Sequence, residues 1–189
     1  MIHPTARVEQ PSVVKNATVG ARSVVWEYAK VIRGAVLGED CSIGGCAIVD
    51  AARVGNRCTI GHGAQLHPGT SVGDDVFVGP GVIVCNDRWP RVSKDGFDSG
   101  NLLDGKFTTV RVMDGVSIGA GAIILPGVQI GEGSVIAAGS VVTHSMPSCS
   151  LWKRSGVWVT MRARHPERMR AAGSEGADAA RCDLPLAAE

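Results

Sequence analysis

Aromatic side chains are scarce in this 189-residue chain, at 4% of positions, while glycine is abundant at 25 residues. That balance argues against a layered globule and for thin, closely stacked coils. Charge is nearly neutral, with 19 Lys and Arg against 18 Asp and Glu, so a basic footprint for nucleic acid is not indicated. No run of 18 or more apolar residues occurs, and no charged-then-apolar leader opens the sequence, so neither a membrane span nor a secretory signal is expected. The expectation is a cytoplasmic protein with no membrane or nucleic-acid partner. Cysteine is present at Cys41, Cys46, Cys58, Cys85, Cys149 and Cys182, but no Cys-x-x-Cys pair appears, which speaks against zinc or dithiol redox chemistry.

What the chain does have is a six-residue period. Aliphatic residues stand at Val19, Val25, Val31, Leu37, Ile43 and Val49, then at Val54, Ile60, Leu66, Val72, Val78 and Val84. A third run holds Val112, Ile118, Ile124, Ile130, Ile136 and Val142. The residue two before each is small or β-branched, from Ala17, Ser23 and Ala29 to Val128, Ser134 and Ser140. Residues two apart on a strand share a face, so each short strand points one large and one small side chain inward. Cys41 and Cys58 fall in the small column and are accounted for by packing. Nine of the eighteen aliphatic residues are followed by Gly, where a turn with unusual backbone angles is expected. Hexapeptide periodicity of this kind is the sequence form of a parallel β-helix, with about three units per coil. One domain is expected at this length.

The period slips by one residue between Val14 and Val19 and between Val49 and Val54, where tightened corners are expected. It fails over residues 85–111 and resumes in phase at Val112. Stacked coils can be interrupted only by a loop leaving the prism, and a loop this long is usually functional. Residues 1–147 therefore read as one β-helix domain carrying an extended loop at 85–111. Residues 148–189 read as a closing segment and tail, irregular over 148–162, with a short helix near 166–172 and a disordered end beyond Gly173.

The loop opens with VGPGVIVCNDRWPR, residues 78–91. Together with SVVWEYAKVIRGAVLGEDCSIG, residues 23–44, it resembles the nucleotide-sugar N-acetyltransferases of the left-handed β-helix superfamily. It is most similar to those that acetylate the 3-amino group of dTDP-3-amino-3,6-dideoxyhexoses; relatives acting on UDP-linked sugars share much of the pattern. The resemblance covers about residues 2–147, and its specific part is Asn86-Asp87-Arg88-Trp89-Pro90-Arg91. It implies an all-β, left-handed parallel prism, a homotrimer with sites between subunits, acetyl-CoA as donor, a nucleotide-linked amino sugar as acceptor, and no metal.

Acyl transfer from a thioester to an amine needs a neutral amine and a donor for the developing oxyanion; much of the rate comes from holding the two reactants together. Asn86 is the first candidate, because its amide both donates and accepts and because the family places an Asn beside the reacting amine. Asp87 is a candidate for the amine or a sugar hydroxyl, and equally for stabilising its own turn. Arg88 and Arg91 suit a diphosphate, with Arg33 a weaker candidate for the same role. Trp26 and Tyr28 are candidates to stack on base or ribose, with packing as the competing reading. His62 is a candidate general base, although 3-amino-sugar relatives often lack a matching His. His67 is expected to be structural or trimer-facing, and His144 to lie on the surface.

Donor binding is expected along the last coils, at Ala120, Ala122, Ala137 and Ala138, where small residues leave backbone groups open to a pantetheine arm. Relatives close the prism with a Gly-Asn-Pro-Ala-basic segment that borders coenzyme A; here the stretch reads SLWKRSGVWVTMR, residues 150–162. In it Trp152 is a candidate to stack on adenine, and Lys153 and Arg154 to meet the phosphates. Two other readings stand beside the transferase. The pair His62 and His67 resembles part of the zinc site of γ-class carbonic anhydrases, but no His lies between residues 20 and 50 to complete it. A non-catalytic trimeric scaffold would explain the prism without the loop.

Overall fold

The computed structural model describes residues 1–92 and 108–160. Residues 93–107 of the loop, and residues 161–189 with the expected helix and tail, lie outside the described residues. The described chain winds into a three-sided parallel prism with no helix among its elements. Face 1 has nine strands, running from Arg7–Val8 to Ser150–Trp152 with Trp158–Thr160 added at the end. Face 2 has seven strands, from Val13–Lys15 to Val141–Val142. Face 3 has six, from Thr18–Val19 to Gln129–Ile130. All pairings on the three walls are parallel except the last on face 1. Up to Ser150–Trp152, consecutive strands go to different faces, so each full coil visits all three.

The two inward columns form the core. All eighteen periodic aliphatic residues are at most 4% exposed. The small column is buried beside them, apart from the half-buried Ala17 at the open lower end. Four of its polar members bond within the wall: Ser23 Oγ donates to Gly38 O (2.8 Å), Cys41 Sγ to Gly55 O (3.0 Å), Cys58 Sγ to Gly73 O (3.1 Å) and Ser134 Oγ to Pro147 O (3.0 Å), whereas the Ser140 hydroxyl has no partner among the described residues. The cysteines thus replace serine in a ladder that ties one coil to the next. The slips appear as tight corners in which a single residue, Asn16 or Ala51, takes a left-handed φ, whereas the full-length corner between them uses both Arg33 and Gly34.

The glycines after the aliphatic residues are there for a different reason than expected. Their backbone angles are ordinary; the left-handed φ falls two residues later, at positions such as Arg22, Asp40, Arg57 and Gly81. What excludes a side chain is the next coil. A Cβ on Gly20 would lie 2.3 Å from Gly38 O, and one on Gly119 would lie 2.5 Å from Ala138 N.

Residues 148–160 are also more regular than expected. Ser150–Trp152 continues face 1, pairing in parallel with Val135–Ile136, and the chain then turns back in an antiparallel hairpin with Trp158–Thr160. Trp152 takes the inward position above Ile136 and is 1% exposed, so it closes the top of the core. Periodicity did not reveal this because the phase is lost between Val142 and Met146 and because an aromatic stands where every lower coil has an aliphatic.

Candidate functional site

The expected site residues fall on two of the three corners. The corner between faces 1 and 2 carries Trp26 and Tyr28 near its base. Above them stand His62, Pro80, Ala120 and Ala138 in one line, joined by hydrogen bonds from Gly81 N to His62 O (2.9 Å), Gly121 N to Pro80 O (2.9 Å) and Gly139 N to Ala120 O (2.8 Å). His62, Ala120 and Ala138 are exposed. Neighbouring strands are about 4.8 Å apart, so Ala120 stands about 10 Å above His62. Lys153 and Arg154 follow at the top, with Arg154 Nε 4.0 Å from the Cβ position of Gly139. The structure therefore sets Ala120, Ala138, Lys153 and Arg154 on the same corner as the candidate base His62. Ala137 is half-buried on this corner.

Two donor-end expectations do not fit their placement. Ala122 belongs to the inward small column at 0% exposure, and Trp152 caps the core. Neither side chain is presented to a ligand, because each fills an inward position of a strand. Trp26 lies under Arg7, whose guanidinium carbon is 5.9 Å from the ring centroid, and its Nε1 donates to Ser42 Oγ (3.1 Å). Tyr28 is freer, 65% exposed at a residue with φ of 63°.

The corner between faces 2 and 3 carries Arg33 and the loop. Gly69 and Thr109 are stacked there, Thr109 N donating to Gly69 O (2.8 Å) and its Oγ1 to Pro68 O (3.2 Å). Gly127 N then donates to Thr109 O (2.8 Å). The excursion therefore leaves and re-enters at one corner, with Pro68-Gly69 below and Pro126-Gly127 above. Asn86 and Asp87 are half-buried at the exit, and Arg88, Trp89 and Arg91 are exposed. Asp87 Oδ1 accepts the Trp89 N–H (3.0 Å), the turn-stabilising role considered for it. Arg33 makes a two-pronged ion pair with Asp50, a residue 8% exposed, so it is held by the protein itself. Burial pushes the Cys85 thiol up, which keeps it protonated and unfit as a nucleophile.

His67, expected to be structural or trimer-facing, lies beside the loop by register. Leu66 pairs with Val84, which puts His67 one coil below Cys85 and next to the Asn86 exit. The six-residue phase could have shown this, since position 67 follows a face-2 strand just as 85 does. His62 and His67 stand at opposite edges of face 2, five residues apart, at most about 17 Å of extended chain.

Two stretches of the chain match known families. Residues 1–89 match the GMPPB C-terminal domain, and residues 109–144 match the bacterial transferase hexapeptide, six repeats. Among curated proteins, the bifunctional protein GlmU of Burkholderia thailandensis is 36% identical over 129 residues, covering 63% of this chain and 27% of that protein. The chain spans about a third or less of the curated relatives it matches. Among solved structures, the UDP-N-acetylglucosamine acyltransferase of Campylobacter jejuni superposes with a TM-score of 0.54 at 16% identity, over 80% of this chain and 70% of the other. The polySia-specific acetyltransferase NeuO gives a TM-score of 0.54 at 21% identity, over 86% and 79%. Over residues 109–144 the chain carries the hexapeptide repeat, and its fold is the left-handed parallel β-helix.

Proposed function

We propose that the protein is an acetyl-CoA-dependent N-acetyltransferase acting on the amino group, at C3, of a nucleotide-linked deoxyamino sugar, with dTDP-linked sugars favoured over UDP-linked ones. One observation carries this reading: a regular prism breaks at a single corner to extrude a long loop, and that loop begins with Asn86-Asp87-Arg88-Trp89-Pro90-Arg91. An amide at the root of the loop suits an amine nucleophile. The small-residue corner that rises from His62 to Ala138 suits the donor's pantetheine arm.

These two corners border face 2, whose outward row is apolar at Val13, Ile48, Ile83, Ile123 and Val141 and polar at Lys30 and Gln65. A second copy packed on that face would carry the Asn86 loop of one protomer toward the His62–Ala138 corner of another, and a homotrimer closes such contacts in a ring. In this arrangement Asn86 orients the amine, His62 or His67 accepts its proton, and the thiolate leaves unaided.

The test is incubation with acetyl-CoA and a dTDP-3-amino-3,6-dideoxyhexose, following free thiol. Release that depends on both substrates is expected. No release with any nucleotide-linked amino sugar would overturn the reading and favour a scaffold.

A further inference from the structure

A line of residues climbs the corner between faces 1 and 2, and one of them lacks a side chain. Glu27, Gly45, His62, Pro80 and Ala120 stand one above the next, linked by hydrogen bonds from the residue that follows each: Cys46 N donates to Glu27 O (3.2 Å), Gly63 N to Gly45 O (3.0 Å), Gly81 N to His62 O (2.9 Å) and Gly121 N to Pro80 O (2.9 Å). Gly45 therefore lies directly beneath His62. Neither reason that accounts for the other glycines applies to it. Its φ is not left-handed, and the close approach to the next coil is made by Gly44, whose Cβ would lie 2.7 Å from His62 N.

What a side chain at position 45 would meet is the imidazole. A Cβ there would lie 3.3 Å from His62 Nδ1 and 3.8 Å from its Cε1, with Glu27 O at 3.2 Å on the other side. The carbonyl below is not the obstacle by itself. The same backbone stacking recurs at His62, Pro80 and Ala120, and each of these carries a Cβ. What differs at Gly45 is the ring that comes down from the coil above. With Pro80 overhead, the Nδ1–Cε1 edge of the imidazole rests over the glycine, and Nε2 is farther from this position than either atom. His62 is exposed, so Nε2 is the nitrogen left to a substrate on the corner.

We propose that Gly45 is a positioning residue for His62, and that His62, seated over it, is the base that takes the proton from the substrate amine. The proposal rests on the reading of the reaction as acetyl transfer to an amine. As the amine attacks the thioester carbonyl, its N–H proton passes to Nε2 and the electron pair of the breaking C–S bond leaves with coenzyme A. The accepting nitrogen must lie within hydrogen-bond reach of the amine, and a misplacement of about 1 Å costs about 10²-fold. A contact at 3.3 Å is inside the optimum of about 3.5–4.0 Å, so a methyl at position 45 pushes the ring outward by a fraction of an ångström. Glycine lets the ring lie against the wall, at the foot of the small-residue line that suits the pantetheine arm.

The test is a double-mutant cycle in the full-length protein. Wild type, Gly45→Ala, His62→Ala and the double variant are compared by steady-state kinetics with acetyl-CoA and a dTDP-3-amino-3,6-dideoxyhexose, and by unfolding curves. Gly45→Ala is expected to lower kcat about tenfold while both KM values stay near wild type. In the His62→Ala background the same change should lower kcat no further, because no ring remains to displace. The unfolding curves test the contact itself: a midpoint lowered by Gly45→Ala should recover in the double variant. Equal losses from Gly45→Ala in the two backgrounds, in kcat or in midpoint, would make Glu27 O the obstacle and overturn the proposal. Wild-type kcat in Gly45→Ala, or in His62→Ala, would overturn it as well. In each of these cases the active wild type leaves the function standing. A wild type that releases no thiol with any nucleotide-linked amino sugar overturns the function and the proposal together.

Discussion

Replacing Trp152 separates a structural lid from a ligand platform. A buried indole removes about 200 Å² from water, which at about 25 cal/mol per Å² is about 5 kcal/mol. Trp152 is 1% exposed and sits over Ile136. The alanine Cβ and partial collapse of the end coil recover some of this, so Trp152→Ala should cost about 3–5 kcal/mol. The indole Nε1 is buried without a hydrogen-bond partner among the described residues, a defect that costs about 1–3 kcal/mol. Trp152→Phe removes that defect while keeping most of the packing, and should fall within about 1.5 kcal/mol of wild type. The capped coil has a neighbour on one side only, so part of the loss is local. Denaturant unfolding measures the global part. Hydrogen exchange over residues 134–140 measures the local part, because Ala137 N donates to Trp152 O (3.0 Å). A Trp152→Ala variant within about 1 kcal/mol of wild type, with unchanged exchange but a KM for acetyl-CoA raised tenfold, would refute the lid and restore the ring as an adenine platform.

Asn86→Ala should lower turnover while leaving assembly intact, read by kinetics and size-exclusion chromatography; unchanged kinetics removes Asn86 from the site. His62→Ala and His67→Ala measured side by side assign the base: a loss of about 10²-fold or more marks general-base work, and small changes in both favour transfer without a base. Gly20→Ala should destabilise markedly, because its Cβ meets Gly38 O at 2.3 Å, whereas Gly34→Ala meets nothing within 4 Å and suffers only from its φ of 86°, about 1–2 kcal/mol; equal melting shifts would contradict the close-approach explanation. Arg22 holds the Asp40 carboxyl below the usual range, and the Asn56 N–H does the same for Asp74. A depressed carboxyl stabilises fully above its unfolded pKa and loses that contribution as pH falls through its folded one. Stability should therefore decline only as pH drops below the ordinary carboxylate range, and Asp40→Asn with Asp74→Asn should flatten that decline.

The prism was legible in the residues alone because a β-helix is nearly one-dimensional. Each six-residue unit meets only its neighbours above and below, so an inward aliphatic such as Ile60 and a small partner such as Cys58 are specified locally and repeat without reference to the rest of the chain. The place where the strict period stops, after the strand Ile83–Val84, was legible for the same reason. The stacking itself decided the rest. Why Gly20 must be glycine depends on Gly38 one coil away, not on its own backbone angles. Whether Trp152 faces a ligand or the core depends on which strand it pairs with. His67 reaches the loop corner only because Leu66 pairs with Val84. Periodicity encodes which way a side chain points relative to its own strand; which residues become neighbours across coils is set by register, and register is a property of the folded stack.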